Sequence, residues 1–238
     1  FQDKEVGFVY SDNAKLKDDF APYRSDQGWT HGKFKWKDKE LVTMNSFKPC
    51  SQTLSRIFYA PDHVRAWRTS VYKEVGGHNP ELRVCDDYDL VVRTYLISKF
   101  HHIPKVLYVY RIDGTNSWLQ NAAEISRLTY ELYNKYAFQL AERDCELKGL
   151  LKVDLGGGLF PRDGYIAVDK YDAEITYDLD DGIPLDDNSV GVINASHVLE
   201  HMKDPVKSMR EIHRVLCHGG WAMIEVPSTD GRGAWMDP

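Results

Sequence analysis

No glycine or proline interrupts the chain between Ser117 and Leu147. Within that stretch Ile125, Leu128, Leu132, Tyr136 and Leu140 recur at three- and four-residue spacing, which lays an apolar stripe along a helix. Asn121, with Glu124 three residues on, supplies a box-like start, and Lys148-Gly149 supplies a stop. A helix of this length is read as the last element of one domain and the bridge into a second.

Composition changes across it. Residues 1–148 hold 22 Lys+Arg against 20 Asp+Glu, whereas residues 149–238 hold 8 against 16. The first part is rich in Trp and Tyr and balanced in charge; the second is strongly acidic. A nucleic-acid binder needs a basic face to release counterions, and neither part supplies one. With 42% hydrophobic and 12% aromatic residues the chain is neither disordered nor collagen-like nor a coiled coil. No run reaches the ~18 apolar residues of a membrane helix, so no transmembrane segment is expected. The opening FQDKEVGFVY carries no basic or apolar targeting pattern, and the expected location is cytoplasmic. Cys50, Cys85, Cys145 and Cys217 lie far apart with no C-x-x-C pair, which reads as reduced thiols rather than a zinc ribbon or disulfide framework.

Ahead of the long helix the elements alternate. EVGFVYSD reads as a strand, SRIFYAP as another closed by Pro61, and residues 62–75 as a helix broken by GGHNP. DYDLVVRTYLIS then has helical spacing, and KVLYVYR is β-rich. The densest chemistry is Cys85-Asp86-Asp87-Tyr88-Asp89, followed by Arg93. If Asp86 or Asp87 begins a helix, its carboxylate faces the positive end of the helix dipole, ready to accept a proton. The purely structural alternative is that both cap the helix while Asp89 pairs with Arg93 at i,i+4.

Beyond the helix, VDLGGG at 153–158 sets three glycines directly after a strand, where glycine takes positive φ and lets a ligand approach the backbone. YIAVD follows as a second strand ending in Asp169, and an acid at that tip of a nucleotide-binding sheet accepts hydrogen bonds from ribose hydroxyls. About a dozen residues separate Gly156 from Asp169, fewer than the ~20 of a unit with a full crossover helix, so that helix is expected to be very short or missing. TYDLDDGIPLDDNS reads as a third strand edge with an acidic loop, and VGVINASHVLEH as a fourth strand running into a helix. HRVLCHGGWAMIEVP reads as a helix end, a Gly-Gly stop and a fifth strand, with Trp221 and Met223 in the core. His197-Val198-Leu199-Glu200-His201 also spells the inverted zinc-protease pattern, but no third ligand follows it and no metal is assigned.

Taken together, DLGGG, the acid-tipped second strand, PLDDNSVGVI, HVLEH and RVLCHGGW resemble a class I S-adenosylmethionine-dependent methyltransferase over residues 150–238. That resemblance implies S-adenosylmethionine as cofactor. It implies that Asp154, Gly156 and Gly158, with Gly157 between them, line its methionine and ribose portion. Asp169 would bind the ribose, Asp178-Leu179 would meet the adenine, and Asn194 to His197 would close the floor. His197 is also the candidate base for methyl transfer, and an acidic pocket suits a sulfonium cation.

Residues 5–117 resemble the acceptor half of a family 2 glycosyltransferase of the GT-A fold. EVGFVYSDN, Gly76-Gly77, CDDYDLVVR and HHIPKVLYVYR carry the likeness. It implies that Asp87 is the base that deprotonates the acceptor hydroxyl, with Asp86 beside it. His78 stands where that family usually has Phe, and Asp113 near where its members often have His. Its Asp-x-Asp motif is replaced neither by Ser11-Asp12-Asn13 nor by Asp18-Asp19. Divalent Mn or Mg and a nucleotide-sugar donor therefore enter only with a nucleotide-binding half that these residues do not include.

The expected fold class is α/β: a partial GT-A-like mixed α/β domain (1–116), a linking helix (117–148) and a Rossmann-like parallel-sheet methyltransferase domain (149–238). Both ends, FQDKEV and DGRGAWMDP, are expected to be internal points of a longer protein. The expected function is that of a fragment of a bifunctional transferase acting on a sugar or polysaccharide acceptor, where a tethered second site sees product at high effective concentration. The rival expectations are a methyltransferase whose N-terminal part only holds the acceptor, and an inactive cofactor-binding or assembly module.

Overall fold

A computed structural model describes residues 2–17, 30–56 and 61–228, and the chain divides into two compact units, Phe1–Leu140 and Ala141–Pro238. Asp18-Asp19 and the closing DGRGAWMDP lie outside the described residues.

In chain order the first unit holds β1 (Val6–Lys17), β2 (Thr30–Trp36), β3 (Lys39–Asn45), α1 (Ser51–Arg56), β4 (Arg65–Trp67), α2 (Thr69–Glu74), α3 (Asp86–Ile97), β5 (Lys99–Ile112) and α4 (Ser117–Gln120). α5 (Ala122–Lys148) begins there and runs on into the second unit. β1 is the spine of a mixed sheet. β5 runs parallel beside it from Val6 to Lys17, while β4 pairs antiparallel with Phe8–Tyr10 and β3 with Asn13–Ala14. The register to β5 skips from Ser11–Ile103 to Asp12–Val106, across Pro104, which has no N–H to give a ladder.

β1 is buried on both faces, and its polar run finds partners inside, except Asn13 Oδ1, which has none among the described residues. Asp12 Oδ1 accepts from the Ser46 amide (2.8 Å) and sits 2.9 Å from His102 Nε2, and Asn13 Nδ2 donates to Asp62 (3.1 Å). α3 lays Tyr88, Val91, Val92 and Tyr95 into one core with Phe8 and Tyr10 of β1 and with Leu132, Tyr136 and Leu140 of α5.

Three local expectations are corrected here. Ser55 and Arg56 of the expected SRIFYAP strand belong to α1, and residues 57–60 lie outside the described residues. The expected helix over 62–75 is part strand: Arg65–Trp67 pair with β1, and only Thr69–Glu74 are helical, because ladder pairing overrides local propensity. Asn121 breaks the long helical stretch between α4 and α5, and its Nδ2 donates back to the Ser117 carbonyl (2.8 Å) instead of capping the next turn.

α5 stops at Lys148. Gly149 takes φ +63, its N–H meets the Glu146 carbonyl at 3.1 Å, and the Leu150 N–H meets the Cys145 carbonyl at 3.0 Å, a paired left-handed termination.

The second unit then adds β6 (Leu151–Leu155), β7 (Ile166–Asp169), β8 (Ile175–Thr176), β9 (Val190–Ser196), α6 (Pro205–Val215) and β10 (Leu216–Glu225). These strands form one parallel sheet in the order β10-β9-β6-β7-β8. Its centre is nearly continuous in apolar residues: Val153, Val168, Ile193 and Ala195 pack with Ile212 and Val215 of α6. No helix lies between β6 and β7.

Two further expectations change. β9 runs not into an α-helix but into a short 3-10 turn, Leu199–His201, and α6 starts later, where Asp204 accepts the Lys207 amide (3.0 Å) ahead of Pro205. Gly219-Gly220 is no helix stop either. α6 has already ended at Val215, and both glycines lie inside β10, where its register to β9 jumps from Leu216–Val190 to Trp221–Val192. Among the described residues no helix is long and apolar enough to cross a membrane.

Candidate functional site

The strand order of the second unit reverses between β6 and β9, and in an open parallel sheet the crevice outside the carboxyl ends at that reversal is where ligands bind. Asp154 of β6 and Asn194 of β9 meet there. Asn194 Nδ2 donates to Asp154 Oδ1 at 2.7 Å, and the Arg162 amide donates to Asp154 Oδ2 at 2.7 Å. Asp169 closes β7 on the neighbouring side: its Oδ2 accepts the Gly158 amide (3.0 Å) and its Oδ1 the Tyr171 amide (3.3 Å). Each oxygen of an ionised carboxylate has two acceptor sites, so Asp169 keeps capacity for further donors.

The glycine turn is fixed by the protein's own contacts. Gly156 has φ +71, and a Cβ there would sit 2.5 Å from Val198 Cγ2. A Cβ on Gly157 would come within 3.1 Å of Asp154 Cγ. Past the turn, the segment that stands in place of a crossover helix is held by Glu142, whose Oε1 accepts from Tyr165 Oη (2.8 Å) and Arg162 Nε (3.2 Å). Burial, then the bond to Glu142, pushes the Tyr165 phenol well above its usual range.

Asp178 and Leu179 face different surroundings. Lys170 Nζ lies 2.8 Å from the Asp178 carboxylate and holds it below the usual range, and the Asp180 amide adds a bond of 3.1 Å. Leu179 instead packs against the core beside Ile183 and Leu199. Asp180 accepts the Lys203 amide (3.0 Å), the first cause of its own lowered value.

His197 has φ +56, is half exposed, and places Nδ1 3.1 Å from Glu200 Oε1, while its amide donates to the Glu225 carbonyl (2.9 Å). The H-x-x-E-H letters therefore do not share one α-helical face, and among the described residues no three His, Cys, Asp or Glu side chains are grouped to hold a metal ion.

In the first unit, Cys85 in the left-handed conformation precedes α3 and offers no side-chain cap, so Asp86 and Asp87 fall in the first turn. Asp87 Oδ1 accepts the first-turn Tyr88 amide (2.8 Å), as a capping carboxylate does, whereas Asp86 makes no such bond. Asp86 Oδ2 lies 2.7 Å from His78 Nδ1, and Asp87 Oδ2 accepts from Arg65 Nη1 at 2.6 Å. Asp89 does pair with Arg93 (2.7 Å) and also accepts from Tyr136 Oη (2.6 Å). Sequence reasoning missed Arg65, Glu142 and Arg162, since no spacing rule ties them to partners on distant elements.

Residues 164–224 match the family model described as a methyltransferase domain. The matched span runs from the approach to β7 into β10, and takes in Asp169, Asp178, Leu179, Asn194 and His197. A methyltransferase domain is a transferase domain whose methyl donor is S-adenosylmethionine and which needs an acceptor substrate. No curated protein matches the chain.

Proposed function

We propose that this chain transfers a methyl group from S-adenosylmethionine to an oxygen of a sugar or polysaccharide. The observation that carries the methyl-transfer reading is Asp169 at the carboxyl end of β7, in a parallel sheet ordered β10-β9-β6-β7-β8 and within the matched span. The acceptor groups present suit the cofactor. Asp169 has acceptor capacity left for two ribose hydroxyls. Asp154 and Asn194, with the turn at Gly156, Gly157 and Gly158, would border the methionine end, and Asp178 the adenine end. Bound S-adenosylmethionine supplies a methyl group on a positively charged sulfur. The carboxylates of Asp154 and Asp169 give a site of matching sign. His197 would take the acceptor proton at Nε2, its Nδ1 facing Glu200.

Calorimetry with S-adenosylmethionine and S-adenosylhomocysteine tests this, alongside Asp169→Ala. Binding by the parent chain that disappears in the variant is the expected result. A folded parent chain that binds neither ligand overturns the reading.

The sugar acceptor rests on the first unit. We infer that residues 1–116 serve as the acceptor half of a glycosyltransferase, with Asp87 as base and Asp86 beside it. In support, α3 sets both carboxylates in its first turn, soon after the positive-φ pair Gly76-Gly77, and Asp87 stays partly exposed. Mn or Mg and the nucleotide sugar would act only with a nucleotide-binding half. Asp87→Asn in a longer form that transfers sugar should abolish that transfer. Unchanged transfer would favour the rival in which Asp87 and Arg65 only hold the fold and the methyltransferase acts alone. Tight cofactor binding with no turnover on any glycan would favour an inactive module.

A further inference from the structure

The connection from β8 to β9, residues 177–189, contains no helix, yet it carries Asp178 and Leu179. Its order comes from α6. All five N–H donors of the Arg214 guanidinium are engaged. Nε donates to Glu211 Oε1 (3.0 Å), Nη1 to the Leu185 carbonyl (2.9 Å) and Asp187 Oδ1 (2.7 Å), and Nη2 to the Ile183 carbonyl (2.7 Å) and Glu211 Oε2 (2.8 Å). Glu211 Oε2 in turn accepts the Ile183 amide (3.1 Å), and the Asn188 amide donates to the Arg214 carbonyl (3.0 Å). Gly182, at φ +135, lets Glu211 come this close: a Cβ there would lie 3.0 Å from Oε2. The clamp touches the loop on both sides of Pro184.

We infer that Arg214, oriented by Glu211, is a positioning residue for the adenine end of the cofactor. It sets the loop so that Leu179 stays packed on the core and Asp178 stays beside Lys170. The inference rests on the methyltransferase reading above. A helix in this connection would satisfy its own backbone, whereas this loop hands two carbonyls and an amide to one side-chain pair, so the pair decides where the loop lies.

The test measures the Kd for S-adenosylhomocysteine in the parent chain, Arg214→Gln, Arg214→Lys and Glu211→Gln. Val192→Ala, in the Ala141–Cys145–Tyr165 core, serves as a variant destabilised elsewhere. Hydrogen exchange at the Ile183 and Asn188 amides is read in parallel. Expected are a Kd weakened about tenfold or more in both Arg214 variants and faster exchange at those amides, because lysine cannot reproduce five planar donors. Val192→Ala should leave the Kd unchanged. If Arg214→Gln fails to fold, Glu211→Gln carries the same comparison. A parent chain that binds while the clamp variants bind equally well overturns the inference alone. A parent chain that does not bind overturns the methyltransferase reading and this inference with it.

Discussion

Asn194 reaches from β9 to Asp154 on β6 and donates its Nδ2 to Oδ1 at 2.7 Å, joining the two strands that flank the reversal of the sheet. The bond lies at the carboxyl ends, where the sheet gives out and side chains take over the hydrogen bonding. Asp154 also receives the Arg162 amide, so one buried carboxylate ties together β6, β9 and the glycine-led connection to β7.

Replacing Asp154 by Ala should therefore cost more than one contact. It removes the acceptor of both the Arg162 amide and Asn194 Nδ2, two part-buried bonds each worth about 0.5–1.5 kcal/mol. Urea denaturation should show a lowered midpoint for Asp154→Ala and a smaller loss for Asn194→Ala, which strands a single acceptor. Equal losses would mean that the Arg162 bond contributes nothing.

Gly156→Ala is expected to destabilise by more than about 1 kcal/mol, since a left-handed residue with a Cβ already costs ~1–2 kcal/mol. The clash with Val198 Cγ2 at 2.5 Å adds to it. The Gly156→Ala, Val198→Ala double variant separates the two causes. If Val198 is the obstacle, the double variant loses less than the sum of the single losses, and strict additivity would leave backbone strain alone.

What could be read in advance was local. The strand-glycine step at Leu155-Gly156 and the acid tip at Asp169 are written in consecutive residues, and the helical period of α3 and α5 repeats along one element. What could not be read depends on distant pairing. Gly156 is demanded by Val198 on another connection, and Asp87 is met by Arg65, 22 residues away on a strand whose local letters favour a helix. Gly219-Gly220 carries the letters of a helix stop, yet it marks a bulge in β10, because backbone freedom serves either purpose. The letters of the glycine turn point to ligand approach, and the packing of Val198 against Gly156 adds a second demand for a residue without a Cβ.

Asp89→Ala should be among the most damaging changes in the first unit. Asp89 is 1% exposed and takes hydrogen bonds from Arg93 Nε (2.8 Å) and Tyr136 Oη (2.6 Å). Removing it strands a partly buried guanidinium that also donates to the Val75 and Gly77 carbonyls, at a cost of about 3 kcal/mol. Chemical denaturation followed by far-ultraviolet circular dichroism would measure it. A loss below about 1 kcal/mol, the level of an exposed pair, would show that solvent replaces the carboxylate.

The same unit should be sensitive to alkali. Burial, aided by Asp12, pushes the Tyr10 phenol up to about 12, and burial, aided by Cys85 and Tyr130, pushes Tyr133 up to about 12. Burial also raises Tyr88 and Tyr136. Each raised value means that the folded chain holds a proton which the unfolded chain releases near the ordinary value of 10.0. Their contribution is fully present below pH 10 and is lost as pH rises from there toward 12, because ionisation then favours the unfolded state. Tyrosinate absorbance and circular dichroism, followed together through a pH titration, check this. The buried tyrosines should ionise along with loss of secondary structure, and Tyr10→Phe should make the fall in stability with pH shallower. Ionisation of every tyrosine near pH 10 in a chain that keeps its native spectrum would contradict the burial of these rings against α3 and β1.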